Sequence, residues 1–250
     1  YWQDHYQLHW NELLNSYWST NIGLNYTLGK GYFEQFKNDG DQADYNNLIN
    51  EGSDVIVRRW LDNDFYVINA SANYQKNGLE IISGISYSDY TNDHYGEVIW
   101  GSDLAAGTAI RDRYYLSFSE KSDFSFFSKA TFTVKDKLQI FLDLQNRIVN
   151  YKTVGLTSSR TPINVDANFN FFNPKLGFTY TINKNNSLYT SYAHANKEPN
   201  RNDFESNTLD LSHEELNDFE LGWRHESDRL RLNANLYLSL IHISEPTRLA

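Results

Sequence analysis

The chain has 250 residues, with no Cys, no Met, only 4 Pro, and 18 Tyr, 15 Phe and 6 Trp, at a formal net charge of −10. Without Cys there is no disulfide scaffold, thiolate metal site or cysteine nucleophile, and acidity without a basic stripe argues against a nucleic-acid partner. Apolar runs such as Val55-Ile56-Val57 are too short for a membrane-spanning helix, whereas a membrane β-barrel is compatible with a mean hydropathy of −0.63, because its strands alternate apolar and polar residues.

Taken in chain order, the dominant period is two. Trp18, Ile22, Leu24, Tyr26 and Leu28 alternate with Asn21, Gly23, Asn25 and Thr27. Phe124, Phe126, Ala130, Phe132 and Val134 alternate with Ser125, Lys129, Thr131 and Thr133. The same holds for Leu138–Leu144, for Leu176–Ile182 against Lys175–Thr181, and for Leu230–Leu236 against Arg231–Asn235. Such segments are strands with one apolar face. Short polar turns fall near Asn15-Ser16, Lys76-Asn77-Gly78, Lys135-Asp136-Lys137, Asn183–Asn186 and Glu226-Ser227-Asp228, and five hairpins predict ten strands. Between them lie longer irregular segments near 34–54, 95–112, 152–168 and 197–214. Tight turns alternating with long loops is how an outer-membrane barrel is strung. A β-sandwich would bury the apolar face instead, and alternation by itself does not choose between them.

Charge gathers in two of the expected outer loops. Residues 34–54 carry six acids against Lys37, and residues 197–218 carry seven acids against Lys197 and Arg201, a balance of −5 in each. Solvated loops explain this, and contact with cations outside the cell is the sharper alternative. Asp39, Asp41 and Asp44 miss the EF-hand spacing. His5 and His9 are more than 10 Å apart if Tyr6–Trp10 is a strand, at ~3.3 Å per residue. No nucleophile motif is present. Arg58, Arg59, Arg111 and Arg113 fall near the outer strand ends, with Trp60, Tyr95 and Trp100 nearby. Arg58, Trp60, Tyr95, Trp100, Arg111 and Arg113 are therefore the candidate ligand-binding residues for an anionic ligand, since guanidinium forks onto carboxylates. The alternative is that they brace the wall or anchor it at the level of lipopolysaccharide.

Residues 187–204, SLYTSYAHANKEPNRNDF, followed by 214–223, EELNDFELGW, resemble the C-terminal barrel half of TonB-dependent outer-membrane receptors. Residues 58–66, 94–100 and 171–177 carry further resemblance. The resemblance implies an all-β antiparallel barrel of 22 strands, closed by an N-terminal plug whose TonB box couples it to inner-membrane energy. On that reading residues 1–237 supply about ten of the strands, without plug or box. Such a receptor sits in the Gram-negative outer membrane among lipid and lipopolysaccharide, meets TonB through its plug, and imports a scarce small molecule such as an iron–siderophore chelate; it is no enzyme and needs no cofactor or resident metal. The tail LSLIHISEPTR within residues 238–250 resembles a translated sequencing-library adapter, so His242 and Glu245 are kept out of any site. Two other classes remain: a complete ten-stranded omptin-like protease, for which Asp93-His94 offers an acid and a base, and a soluble β-rich adhesin or sugar-binding module.

Overall fold

The computed structural model describes residues 1–206 and 211–242. The described residues form ten strands: β1 (Trp2–Leu13), β2 (Trp18–Gly40), β3 (Ser53–Lys76), β4 (Leu79–Gly101), β5 (Arg113–Val134), β6 (Leu138–Leu156), β7 (Pro162–Asn183), β8 (Asn186–Lys197), β9 (Glu214–Glu226) and β10 (Arg231–His242). They pair antiparallel in sequence order, as one sheet that does not close. The turns carry the residues that tight hairpins need. Asn77 and Gly78 both have positive φ, the backbone of a two-residue primed turn. Asn15 Oδ1 accepts from the backbone N–H groups of Tyr17 and Trp18 at 2.8 and 3.1 Å, and Asn183 Oδ1 accepts from Asn185 N–H at 3.0 Å.

Register gives the sheet two chemically distinct faces. One line of direct partners runs Trp18, Tyr74, Ile81, Ala130, Leu142, Leu176, Tyr192, Phe219 and Leu238 across nine strands. One residue further along, the line reads Ser19, Asn73, Ile82, Lys129, Asp143, Lys175, Ala193, Asp218 and Ser239. Because neighbouring residues in a strand point to opposite faces, the first line belongs to an apolar face and the second to a polar one. Tyr6, Tyr26 and Tyr66 stack at the outer limit of the apolar band, and Trp18 and Tyr74 meet near its turn side. Tyr26 and Trp18 are eight residues apart, about 26 Å along the strand at ~3.3 Å per residue and about 20 Å once a ~40° tilt is included. That is within about 5 Å of the ~25 Å apolar band of an outer-membrane barrel, with aromatic belts at its margins. The aromatics left exposed on this face, Phe126 among them, are in place to meet lipid.

Past the band the strands continue. The expected irregular segment at 152–168 is mostly ladder, with Lys152 opposite Asp166, and only residues 157–161 connect β6 to β7. The reason is chemical. Above the band the outer face carries Asn146, Asn150, Lys152, Asp166, Asn168 and Asn170, so alternation fades from the sequence while backbone pairing persists. The other outer connections are 41–52, 102–112 and 198–213. The first two are pinned by a small core of Tyr45, Ile49, Val55, Val57, Val98, Tyr114 and Tyr115, with Ile49 bridged to Leu104. β10 runs to His242, opposite Glu215, so the expected adapter-derived segment contributes strand through that residue, while 243–250 lies outside the described residues.

β1 pairs only with β2, and β10 only with β9, which leaves two unpaired ladder edges among the described residues. Open edges recruit other strands. Expressed alone, residues 1–250 are expected to aggregate; a monodisperse, detergent-free monomer with a cooperative melt would contradict this. In a closed barrel containing these strands, Phe126→Arg on the apolar face should cost about 2–4 kcal/mol in urea unfolding from bilayers, whereas Thr131→Arg on the polar face should cost under ~1 kcal/mol.

Candidate functional site at the outer ends of the strands

Four of the six candidate ligand residues gather in one patch. Tyr32, Trp60 and Tyr95 are direct partners across β2, β3 and β4, with ring centroids 4.5 and 6.0 Å apart. The Arg58 guanidinium lies 4.4 Å from the Tyr32 ring centroid and bonds Glu34 at 2.6 Å; the Arg113 guanidinium lies 4.0 Å from that of Tyr95. Trp60 Nε1 donates to Glu97 at 2.9 Å. Trp100 sits opposite Ile56, away from this patch, and Arg111 is an exposed loop residue with φ 77°. The phase of β3 explains the orientation: counting by twos from Tyr66 brings Trp60 and Arg58 onto the face that carries the apolar band. Register shifts beside Val98 and Tyr114 put Trp100 and Arg113 on that face as well. This patch therefore continues the outside of the band and points away from the polar face. Arg59, one residue on, points to the polar face and donates to the Tyr114 hydroxyl at 3.3 Å.

The polar face holds a denser constellation that the sequence reading passed over. After β8 the chain folds back across the sheet as a strap containing a short helix, α1 (Arg201–Ser206). Glu198, 8% exposed, accepts from Lys121 Nζ at 2.6 Å and from both terminal nitrogens of Arg147 at 2.7 and 2.9 Å. Arg147 also donates through Nε to Asp123 at 2.8 Å. Arg201 donates to Ser117 and Ser119 at 3.0 Å each and pairs with Glu205 at 2.6 Å; Phe204 stacks on Tyr151 at 5.5 Å. Beneath lie three pairing lines: Tyr90, Lys121 and Tyr151; Asn92, Ser119 and Thr153; His94, Ser117 and Gly155. The Asn92 Oδ1 is buried without a hydrogen-bond partner among the described residues, and the Tyr151 hydroxyl is buried beside the Ser119 and Thr153 hydroxyls. The one signal in the sequence was charge inside alternating strands, at the odd positions Lys121, Asp123 and Arg147.

Electrostatics fixes the strap in its docked form. Burial pushes the Glu198 carboxyl up, but hydrogen bonds from Lys121 and Arg147 overrule it and hold the group down at about 2. Burial pushes the His94 ring down to about 4, helped by the Arg201 charge and opposed by Glu205. His94 bonds the Tyr115 hydroxyl at 3.1 Å and faces Arg201, Glu205 and Arg59. Its neighbour Asp93 points to the opposite face, so Asp93 and His94 form no acid–base pair on one side of the wall. Asp41 caps the 3₁₀ turn Gln42–Tyr45, accepting from Ala43 N–H at 2.8 Å. His5 bonds Thr27 at 2.9 Å, and His9 packs over Gly23. No group of three or more metal-ligating side chains occurs among the described residues.

A family model described as TonB dependent receptor-like, beta-barrel, matches residues 1–241. No curated protein matches the sequence. Among solved structures, the copper transporter OprC superposes with a TM-score of 0.75 at 10% identity, over 96% of this chain and 38% of that one. The ferric yersiniabactin uptake receptor FyuA from Yersinia pestis gives 0.60 at 14%, over 95% and 35%. The ferric citrate transporter FecA gives 0.64 at 14%, over 96% and 34%. At these identities the likeness is one of fold, and the chain spans little more than a third of each.

The neutral His94 ring carries a pH consequence. Undocking removes the Arg201 charge that, after burial, keeps the ring neutral, with Glu205 opposing it more weakly. The undocked ring therefore takes its proton at a higher pH than the docked one, and acidification favours undocking. Strap protection, read by hydrogen exchange of residues 197–206 in the intact receptor, should be constant above pH 7 and fall from pH 6.5 toward 4. His94→Gln should flatten that fall.

Proposed function

The chain belongs to the TonB-dependent receptor-like β-barrel family, and from that premise we propose that it forms part of an active outer-membrane importer of a scarce small-molecule chelate. The match over residues 1–241 carries this reading. The two faces support it. The apolar band would meet lipid and the polar face would line the lumen, in the arrangement of a Gram-negative outer-membrane barrel. In that orientation the tight turns are periplasmic and the outer strand ends rise into the extracellular space. The open edges of β1 and β10 would be closed by further strands of the same receptor, which excludes a ten-stranded enzyme on this reading. Residues 1–237 act as barrel wall, and 238–250 as a non-native tail.

The cargo is proposed to be an iron chelate of the siderophore class, with TonB as the source of energy through a plug. Within that scheme the patch of Arg58, Trp60, Tyr95 and Arg113 holds the wall at the lipopolysaccharide level, with Trp100 and Arg111 nearer the rim. Ligand recognition then falls to the polar face, where cations and tyrosines line the outer half of the lumen.

Cells carrying the intact gene should take up radiolabelled iron from at least one ferric chelate of a siderophore panel under iron limitation, and lose that uptake when TonB is deleted. Uptake equal in cells with and without the receptor gene across the panel would refute the iron assignment.

A further inference from the structure

The strap crossing the polar face does something unusual for a surface loop: it buries a carboxylate against two cations of the wall. Glu198 is drawn in and buried, whereas Asp203 and Glu205 further along the strap make their contacts within the strap itself. The two Glu198 oxygens take three donors from Lys121 and Arg147. Both cations stay partly open, with side-chain exposures of 38% and 25%. From this geometry we infer that Lys121 and Arg147 form a carboxylate-binding site on the luminal wall, and that Glu198 is its built-in competitor. The inference rests on the importer reading and assigns this wall the carboxylate arm of the cargo.

The chemistry of the uncovered wall sets the ligand class. If the strap lifts, Glu198, Arg201, Asp203 and Glu205 leave together with a net charge of −2, and the wall keeps Lys121 and Arg147 against Asp123, a net +1. Tyr90 and Tyr151 flank Lys121 on its two neighbouring strands. Beside them is a polar row, Asn92, Ser119 and Thr153, in which Ser119 and Thr153 bond each other at 2.8 Å. Arg201 occupies that row through Ser119, yet Asn92 Oδ1, in a residue 93% buried, gains no partner from the strap. A buried acceptor left unmatched costs free energy. The strap thus fills the charged half of the site and leaves Asn92 in its hydrogen-bonding half unmatched. A chelate with carboxylates and a hydroxyl donor matches both halves: carboxylate to Lys121 and Arg147, hydroxyl to Asn92.

The test uses the intact receptor in detergent and citrate, a hydroxy tricarboxylate, as the probe, followed by calorimetry. Glu198→Gln keeps the side chain's shape and removes the competing charge; it should tighten citrate at least tenfold relative to wild type. Adding Arg147→Met or Lys121→Met should abolish the gain. Heat-modifiable migration on gels checks that each variant retains the folded barrel. Equal citrate affinity in wild type and Glu198→Gln would overturn the proposal, as would a gain that survives loss of both cations. Were another segment of the receptor, rather than a small molecule, the natural occupant of Lys121 and Arg147, it would already cover them, and Glu198→Gln would again give no gain. A citrate gain without ferric-chelate uptake would sink the iron-chelate reading and leave the site standing.

Discussion

Each strand of this sheet separates two solvents, and the rest of the structure depends on meeting both at once. Backbone donors and acceptors cannot be left open in hydrocarbon, so they are spent on the neighbouring strands, and only side chains remain to distinguish lipid from water. The line from Trp18 to Leu238 and the line from Ser19 to Ser239 differ by one residue of register and by nearly all their chemistry. A one-residue slip anywhere would exchange them, placing Lys129, Asp143 and Lys175 in lipid. Burial of such charges is costly enough to make the register unambiguous.

Where the two solvents differ most, the fold was legible. The alternation around Phe124–Val134 and Leu176–Ile182, and the turns at Asn15, Asn77, Lys135, Asn183 and Ser227, lead to the ten strands observed. Above the band both faces meet water, and the contrast that marks a strand disappears. Asn164–Asn168 therefore reads as loop while it pairs as ladder. The phase of a strand also becomes hard to follow there, because register shifts beside Val98 and Tyr114 invert the count for Trp100 and Arg113. Arg58 and Trp60 carry no such shift, and counting from Tyr66 already places them on the band's face.

The site on the polar face was hidden for a different reason. Glu198 and Arg147 are 51 residues apart, and Arg201 and Ser117 are 84. Their meeting depends on a loop folding back over strands β4 to β6, which no local pattern announces. What the sequence does contain is the expense: Lys121, Asp123 and Arg147 sit where serine or asparagine would serve a wet wall as well. Ring-on-glycine packing on the same face is equally non-local. Tyr115 lies over Gly96 and Tyr189 over Gly222, so close that a Cβ on either glycine would come within 2.4 Å of a ring atom. These rings gain a flat seat only because their partner across the ladder has no side chain.

The two bare edges make the apolar band a measuring rule. Any strand that docks on β1 must bring its own apolar residues alongside Tyr6, Leu8 and Trp10, and any strand docking on β10 must do so alongside Leu232, Ala234 and Leu236. A displacement of two residues preserves the faces but lifts the newcomer by about 7 Å along the strand, stranding one end of its greasy stripe in water. Closure of the barrel is thereby graded by height before a single loop is involved. The outer ends are free to diverge in length and charge, because alignment has been settled lower down.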